Sequence, residues 1–156
     1  MGSPISFLAG VWRGSGAGEF PTMDGFAYDE EIRFTDLGVP SLVYQQRAWS
    51  ATDGEILHLE TGIWRASAEG ALAVTVALPR VTEVSEGHLA GETIRLATTS
   101  VRRAAGGAGL VAVERTYEVR GDEIRYRIAM ATDAVARVTH HLAGSLRRVE
   151  GQSSVK

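Results

Sequence analysis

The chain has 156 residues, a net charge of −3 at neutral pH, 18 glycines and no cysteine. That length suits one domain with a sizeable core. The missing cysteines exclude a disulfide scaffold and thiolate metal sites, and no long basic run favours nucleic acid.

Residues Met1 to Ala9 carry no basic segment and no long apolar run, and no stretch approaches membrane-spanning length. A cytoplasmic protein with no membrane partner is expected. Gly10, Gly14, Gly16 and Gly18 then alternate, with Trp12 filling the gap in the series. In an extended strand these residues share one face, which is nearly bare backbone. Glycine weakens a strand, so the run implies a sharp bend or a close approach by a ligand or a second strand. Pro21-Thr22 ends it, because proline cannot donate to a ladder.

A period of two continues down the chain. Phe26, Tyr28, Ile32 and Phe34 share a face, on which Glu30 is an anomaly. Asp36 to Pro40 reads as a turn, Leu42, Tyr44 and Gln46 alternate, and Thr52-Asp-Gly54 reads as a tight connection. Residues 56–66 are apolar on both faces, and after a turn at 67–70 Leu72, Val74, Val76 and Leu78 alternate cleanly. A short strand is expected at 81–86, then a turn near Gly87-His88, then a strand marked by Ile94, Leu96 and Thr98. Ala104 to Gly109 has the composition of a flexible loop. Val111, Val113, Arg115, Tyr117 and Val119 share a face, as do Ile124, Tyr126, Ile128 and Met130 after a turn at Arg120-Gly-Asp122. A last strand is expected from about 136 to 148, followed by a polar tail at 149–156.

About ten short strands with a turn every 8–12 residues or so are the signature of a sandwich or barrel. One apolar face per strand favours antiparallel pairing, and an up-and-down barrel removes sheet edges. Ten strands leave room for a cavity, which suggests a small apolar ligand. The expected fold is therefore an all-β, ten-stranded, antiparallel up-and-down barrel in one domain spanning 1–156, with the barrel at about 7–148.

With no cysteine, the soft-metal or haem ligands on offer are His58, His88, His140 and His141. His88 falls in the expected turn, and His58 reads as a hydrogen-bonded strand histidine. His140 and His141 are adjacent on the last strand and face opposite ways. Parity favours His140 for the inside, since Val138, Leu142 and Leu146 share its side. The face of His141, with Thr139, Ala143 and Ser145, has room for a bulky cofactor, and a bulge would swap the two. No serine sits in a G-x-S-x-G setting, no H-E-x-x-H occurs, and Gly14-Ser-Gly-Ala-Gly18 lacks the lysine of a phosphate loop.

Gly10-Val-Trp-Arg-Gly-Ser-Gly16 and Gly18-Glu-Phe-Pro-Thr22 resemble the G-x-W-x-G-x-G and G-x-Y/F-P-T segments of the nitrobindins. So do Tyr44-Gln-Gln46, His58-Leu-Glu-Thr-Gly62, Thr82-Glu83, Glu114-Arg-Thr-Tyr117, Gly121-Asp-Glu123, and His141-Leu142 with Leu146 and Arg147 behind it. The resemblance covers about residues 7–148. It implies a ten-stranded barrel similar to lipocalins and fatty-acid-binding proteins, with haem b at one open end and His141 as the iron ligand. The implied activity is binding of nitric oxide and isomerisation of peroxynitrite to nitrate. By the same resemblance Thr22 lies near the haem propionates, Met130 lines the haem face, and Trp12 closes the barrel base under Arg147 or Arg148. Leu78 stands where many members carry a histidine before a proline, the segment up to Thr82-Glu83 is one residue shorter, and a basic residue before the Tyr117 strand is missing.

A second reading is a carrier of fatty acid or another apolar molecule without iron, for which Arg115 on an apolar face would bind a carboxylate. A third is a barrel that makes only protein contacts, as in a homodimer.

Overall fold

The alternating pattern becomes ten antiparallel strands in the computed structural model, which describes residues 3–106 and 109–150. They are β1 (Gly10–Phe20), β2 (Met23–Val39), β3 (Ser41–Ser50), β4 (Ile56–Ala66), β5 (Ala71–Leu78), β6 (Val81–Ala90), β7 (Thr93–Arg103), β8 (Leu110–Arg120), β9 (Glu123–Thr132) and β10 (Thr139–Glu150). Each strand pairs with the next in sequence, and β1 pairs with β10 to close the barrel. A 3₁₀ turn at Ser6–Leu8 precedes β1. Among the described residues no helix is long and apolar enough to cross a membrane. The tail at 151–156 and part of the glycine-rich loop, 107–108, lie outside the described residues.

The glycine face of β1 points inward and is filled from its neighbours. A Cβ on Gly14 would sit 1.8 Å from the carbonyl oxygen of Ser145, one on Gly16 would be 2.4 Å from the Tyr28 hydroxyl, and one on Gly18 would be 2.2 Å from the Phe26 ring. Close approach by β10 and by the β2 aromatics therefore accounts for the run.

Four expectations change. β2 runs on through the turn expected at Asp36 to Pro40, as far as Val39, with a register shift between Asp36 and Val39 where Gly38 has a φ of +78°. His88 lies within β6, exposed on its outer face, rather than in a turn, because the strand runs on to Ala90. Gly87 serves close strand pairing, since a Cβ there would meet the Arg95 carbonyl oxygen at 1.7 Å, and the turn falls at Gly91, whose φ is +61°. Val111 leaves the inner face and is 51% exposed, because a register shift between Leu110 and Ala112 makes it the extra residue of a bulge. The last strand begins at Thr139 and reaches Glu150.

The interior has three tiers along the barrel axis. At the base, where β1, β3, β5, β7 and β9 begin, Ile5, Leu8, Trp12, Leu42, Ile94, Ile124 and Leu146 form an apolar plug. The Trp12 indole N–H donates to the Leu8 carbonyl at 2.8 Å, and the Arg148 guanidinium lies 4.2 Å from the Trp12 ring centroid. Arg148 also donates to the carbonyls of Phe7 and Ala9 and to Asp122, pinning the 3₁₀ turn across the end. The middle tier is a polar belt, and the tier beyond it, toward the other end, is a cavity.

Candidate functional site

The cavity has a volume of about 250 Å³ and lies at the end where β1, β3, β5, β7 and β9 finish. Its wall is mainly apolar: Phe26, Ala48, Leu57, Leu78, Val81, Leu110, Val113, Ile128, Met130 and Leu142. Its polar lining consists of Tyr28, Gln46, His58, Glu60, Glu83, Arg115 and His141.

His141 reaches this lining through a bulge. On β9, Ala129 pairs with His140 and the next residue, Ile128, pairs with Leu142, so β10 carries one extra residue between them. His141 and Leu142 then both line the cavity, while His140 is exposed. The parity argument that favoured His140 assumed an unbroken alternation, and the bulge interrupts it.

The geometry also sets the chemistry of His141. Its Nδ1 lies 3.1 Å from the carbonyl oxygen of Glu19. A carbonyl only accepts, so Nδ1 carries the proton and Nε2 keeps a bare lone pair. The Phe20 ring packs edge-on at 5.6 Å and Phe26 at 6.2 Å, which fixes the imidazole plane. Burial, which outweighs the hydrogen bond to Glu19, lowers the His141 pKa below its ordinary value. A neutral imidazole with its second nitrogen tied to a backbone carbonyl is the usual form of a metal-ligating histidine.

Met130 lines the cavity and pairs with Val113 and Thr139. Thr22 sits exposed in the β1–β2 turn at the cavity end and is not part of the lining. Leu78 is part of it and offers no hydrogen bond.

The belt below the cavity is a chain of charged and hydroxyl groups. Arg115 Nη1 lies 3.1 Å from Glu83 Oε1, and its Nη2 lies 3.6 Å from Glu60 Oε2. Glu60 Oε1 accepts from the Tyr44 hydroxyl at 2.6 Å, and Oε2 faces His58 Nε2 at 3.0 Å. Burial opposes ionisation of Glu60, but Arg115, His58 and Tyr44 together bring its pKa down to about 2. Glu30, the anomaly of the β2 pattern, is buried in the same tier. It accepts from the Tyr126 hydroxyl and from Gln46 Nε2, the latter at 2.8 Å, while Tyr28 bonds to Tyr126. Burial raises its pKa above the usual carboxylate value.

The belt removes one candidate role. A carrier arginine must meet its ligand's carboxylate, yet Arg115 already faces two carboxylates of its own chain. In contrast, sequence reasoning overlooked how these groups join. The signal was present as polar residues at inward positions of the alternation, at Glu30, Gln46, His58, Glu60, Glu83 and Arg115.

Comparison with known proteins places this geometry among relatives. A family model described as "THAP4-like, heme-binding beta-barrel domain" matches residues 2–148. The chain is 38% identical over 147 residues to "Peroxynitrite isomerase 1" of Rhodococcus jostii, covering 94% of this chain and 83% of that one. It is 40% identical over 146 residues to "Peroxynitrite isomerase" of Nocardia farcinica, covering 90% and 86%. The crystal structure of Rv2717c from M. tuberculosis superposes with a TM-score of 0.84 at 34% identity, covering 92% of this chain and 94% of that chain. A phycobiliprotein lyase, CPES from Guillardia theta, shares the fold alone, with a TM-score of 0.66 at 12% identity.

Proposed function

Since the chain belongs to the THAP4-like, heme-binding β-barrel family, that of the nitrobindins, we propose that it is a haem b protein that binds nitric oxide and isomerises peroxynitrite to nitrate, with His141 as the iron ligand. The observation that carries this reading is the bare Nε2 of His141, held neutral and oriented at the wall of an apolar cavity.

Bound there, ferric haem would supply a Lewis-acidic iron able to bind a small ligand. The protein's own contribution lies in ligation, orientation and exclusion of water. The Glu19 carbonyl holds the proton on Nδ1 and so leaves the Nε2 lone pair free to ligate an iron. Phe20 and Phe26 stop the imidazole from rotating. Met130, Leu78, Ile128 and Phe26 form apolar walls suited to the faces of a porphyrin, and by the family resemblance Thr22 in the exposed β1–β2 turn would be the residue near a propionate. Leu78 itself is apolar and offers a bound ligand no hydrogen bond. The binding unit is the single barrel domain of residues 7–148, acting on a small-molecule substrate.

The fatty-acid reading loses its carboxylate partner, since Arg115 is already paired with Glu60 and Glu83.

Titration of the purified protein with hemin, followed in the Soret region, tests the assignment. The expected result is one equivalent bound by the wild type and by His140→Ala, with the band lost or shifted in His141→Ala. If His140→Ala is the damaging change, the ligand assignment falls. If no variant differs from free hemin, the haem reading falls with it. With stoichiometric binding, decay of peroxynitrite to nitrate is expected to be accelerated by the loaded wild type.

A further inference from the structure

Among the imidazoles of the cavity lining, two ring nitrogens remain uncommitted. The Tyr28 hydroxyl bonds to Tyr126, and Gln46 Nε2 is committed to Glu30. Glu60, Glu83 and Arg115 are engaged with one another, with Tyr44 and with His58. His141 has given Nδ1 to Glu19 and keeps Nε2 as a lone pair. His58 has given Nε2 to Glu60, and among the described residues its Nδ1 has no hydrogen-bond partner. Its side chain is 38% exposed, so it is reachable from the cavity. β4 and β10 are four strands apart around the barrel in one direction and six in the other, so the two histidines approach the cavity from opposite sides.

The charge balance of the cluster bears on what His58 carries. Arg115 brings one positive charge against the two carboxylates of Glu60 and Glu83, all three buried. One negative charge is left over, and the nearest group able to cancel it is His58, 3.0 Å from Glu60. An uncompensated buried charge is costly, so the cluster favours the imidazolium. An imidazolium has two N–H donors, and with Nε2–H spent on Glu60 the second is Nδ1–H.

We propose that His58, held by Glu60, is the hydrogen-bond donor that orients small anionic ligands in the cavity. The proposal rests on the haem reading for the identity of the ligand: peroxynitrite is an anion, and an N–H donor facing an anionic oxygen forms a charge-assisted bond. In a cavity whose wall at Leu78 is apolar, His58 supplies the polar contact from β4. A Lewis base on β10 and a proton donor on β4 then divide the work, with one holding the metal and the other turning the ligand.

The groups of the belt and cavity around His58 are consistent with this charge state. On its own strand lies Glu60; β3 presents Tyr44 and Gln46, and β2 presents Glu30. β6 contributes Glu83, β8 contributes Arg115 and Tyr117, and β10 contributes His141. Burial and Arg115 oppose protonation, but the hydrogen bond and charge of Glu60, with Glu83 behind it, prevail and raise the His58 pKa.

Two measurements test the proposal. In haem-free protein, nitrogen NMR of the imidazole follows protonation of His58, and nitrate is then titrated in as the anion probe. The expected midpoint lies above the ordinary histidine value of 6.5, falls in Glu60→Gln, and nitrate shifts the Nδ1 signal saturably. A wild-type midpoint at or below the ordinary value, or no response to nitrate, overturns the proposal whether or not haem binds. In hemin-loaded protein, azide affinity is read by absorbance across pH. Wild type is expected to bind azide about tenfold more tightly than His58→Leu below the His58 midpoint, and to lose that advantage above it. His58→Gln retains an N–H donor that does not titrate, so it is expected to recover part of the affinity without the pH step. Equal azide affinity in wild type and His58→Leu at every pH overturns the donor role while leaving the haem assignment standing. Failure of the wild type to bind hemin overturns the haem assignment, and the nitrate titration then decides on His58 alone.

Discussion

At the scale of single residues, the site depends on side chains whose second atom is already spent. His141 offers one nitrogen because a backbone carbonyl holds the other, and Glu60 is held ionised because both its oxygens face donors. The same economy of space governs the β1 glycines. Gly14 has no room for a methyl group, because what it would strike is the backbone of Ser145 and Leu146 rather than a movable side chain. Gly14→Ala is therefore expected to destabilise the barrel by about 3 kcal/mol, at the upper end of overpacking costs, read as a lower urea midpoint with an unchanged slope. A midpoint equal to that of the wild type would show that β1 and β10 separate without penalty. The glycine series was visible in the sequence as a bare face, but its occupants were not. Tyr28 and Phe26 come from a strand whose register against β1 no local pattern specifies.

At the scale of elements, the alternation was legible wherever it ran unbroken and misleading wherever a strand gained a residue. β5 and β9 read correctly, because each keeps a strict period of two along its inner stripe. β10 and β8 did not, because bulges at His141 and Val111 shift the parity, and a bulge leaves no mark in composition. The nitrobindin resemblance pointed to His141 where parity pointed to His140, and the bulge reconciles the two. Deletion of His140 tests this directly. With the extra residue gone and Leu142 kept inward, the imidazole of residue 141 turns to solvent. The expected outcome is a strand-rich far-ultraviolet spectrum like that of the wild type, with stoichiometric hemin binding lost. Retention of the wild-type Soret band would mean that the bulge does not place the ligand. β4 eluded the pattern for two reasons, a register shift at Leu57 and an inverted polarity. Its inner face carries His58 and Glu60 while Ile56, Leu59 and Ile63 are each about half exposed, so the usual sense of inside and outside is inverted along half the strand.

At the scale of the whole molecule, a polar belt divides an apolar plug from an apolar cavity, and its charges tie folding to pH. Glu60 has a depressed pKa, so its contribution is present above its ordinary value of 4.5 and is lost as pH falls toward about 2. His58 has a raised pKa, so its contribution is present below 6.5 and is lost as pH rises through its folded-state value. Stability in urea is expected to peak between these limits and to decline on both sides, and Glu60→Gln is expected to flatten both flanks. A wild-type profile as flat as that of the variant would remove the belt from the account. Arg115→Met, which strands two buried carboxylates, is expected to cost about 3–5 kcal/mol at neutral pH and less in acid, where the carboxylates are protonated. The plug has a consequence of its own. With Trp12 and Arg148 sealing one end, the barrel is a vessel with a single door. Whatever enters first must leave last, so a cofactor seated in the doorway is also a stopper, and exchange of any molecule beneath it runs at the pace of the doorway alone.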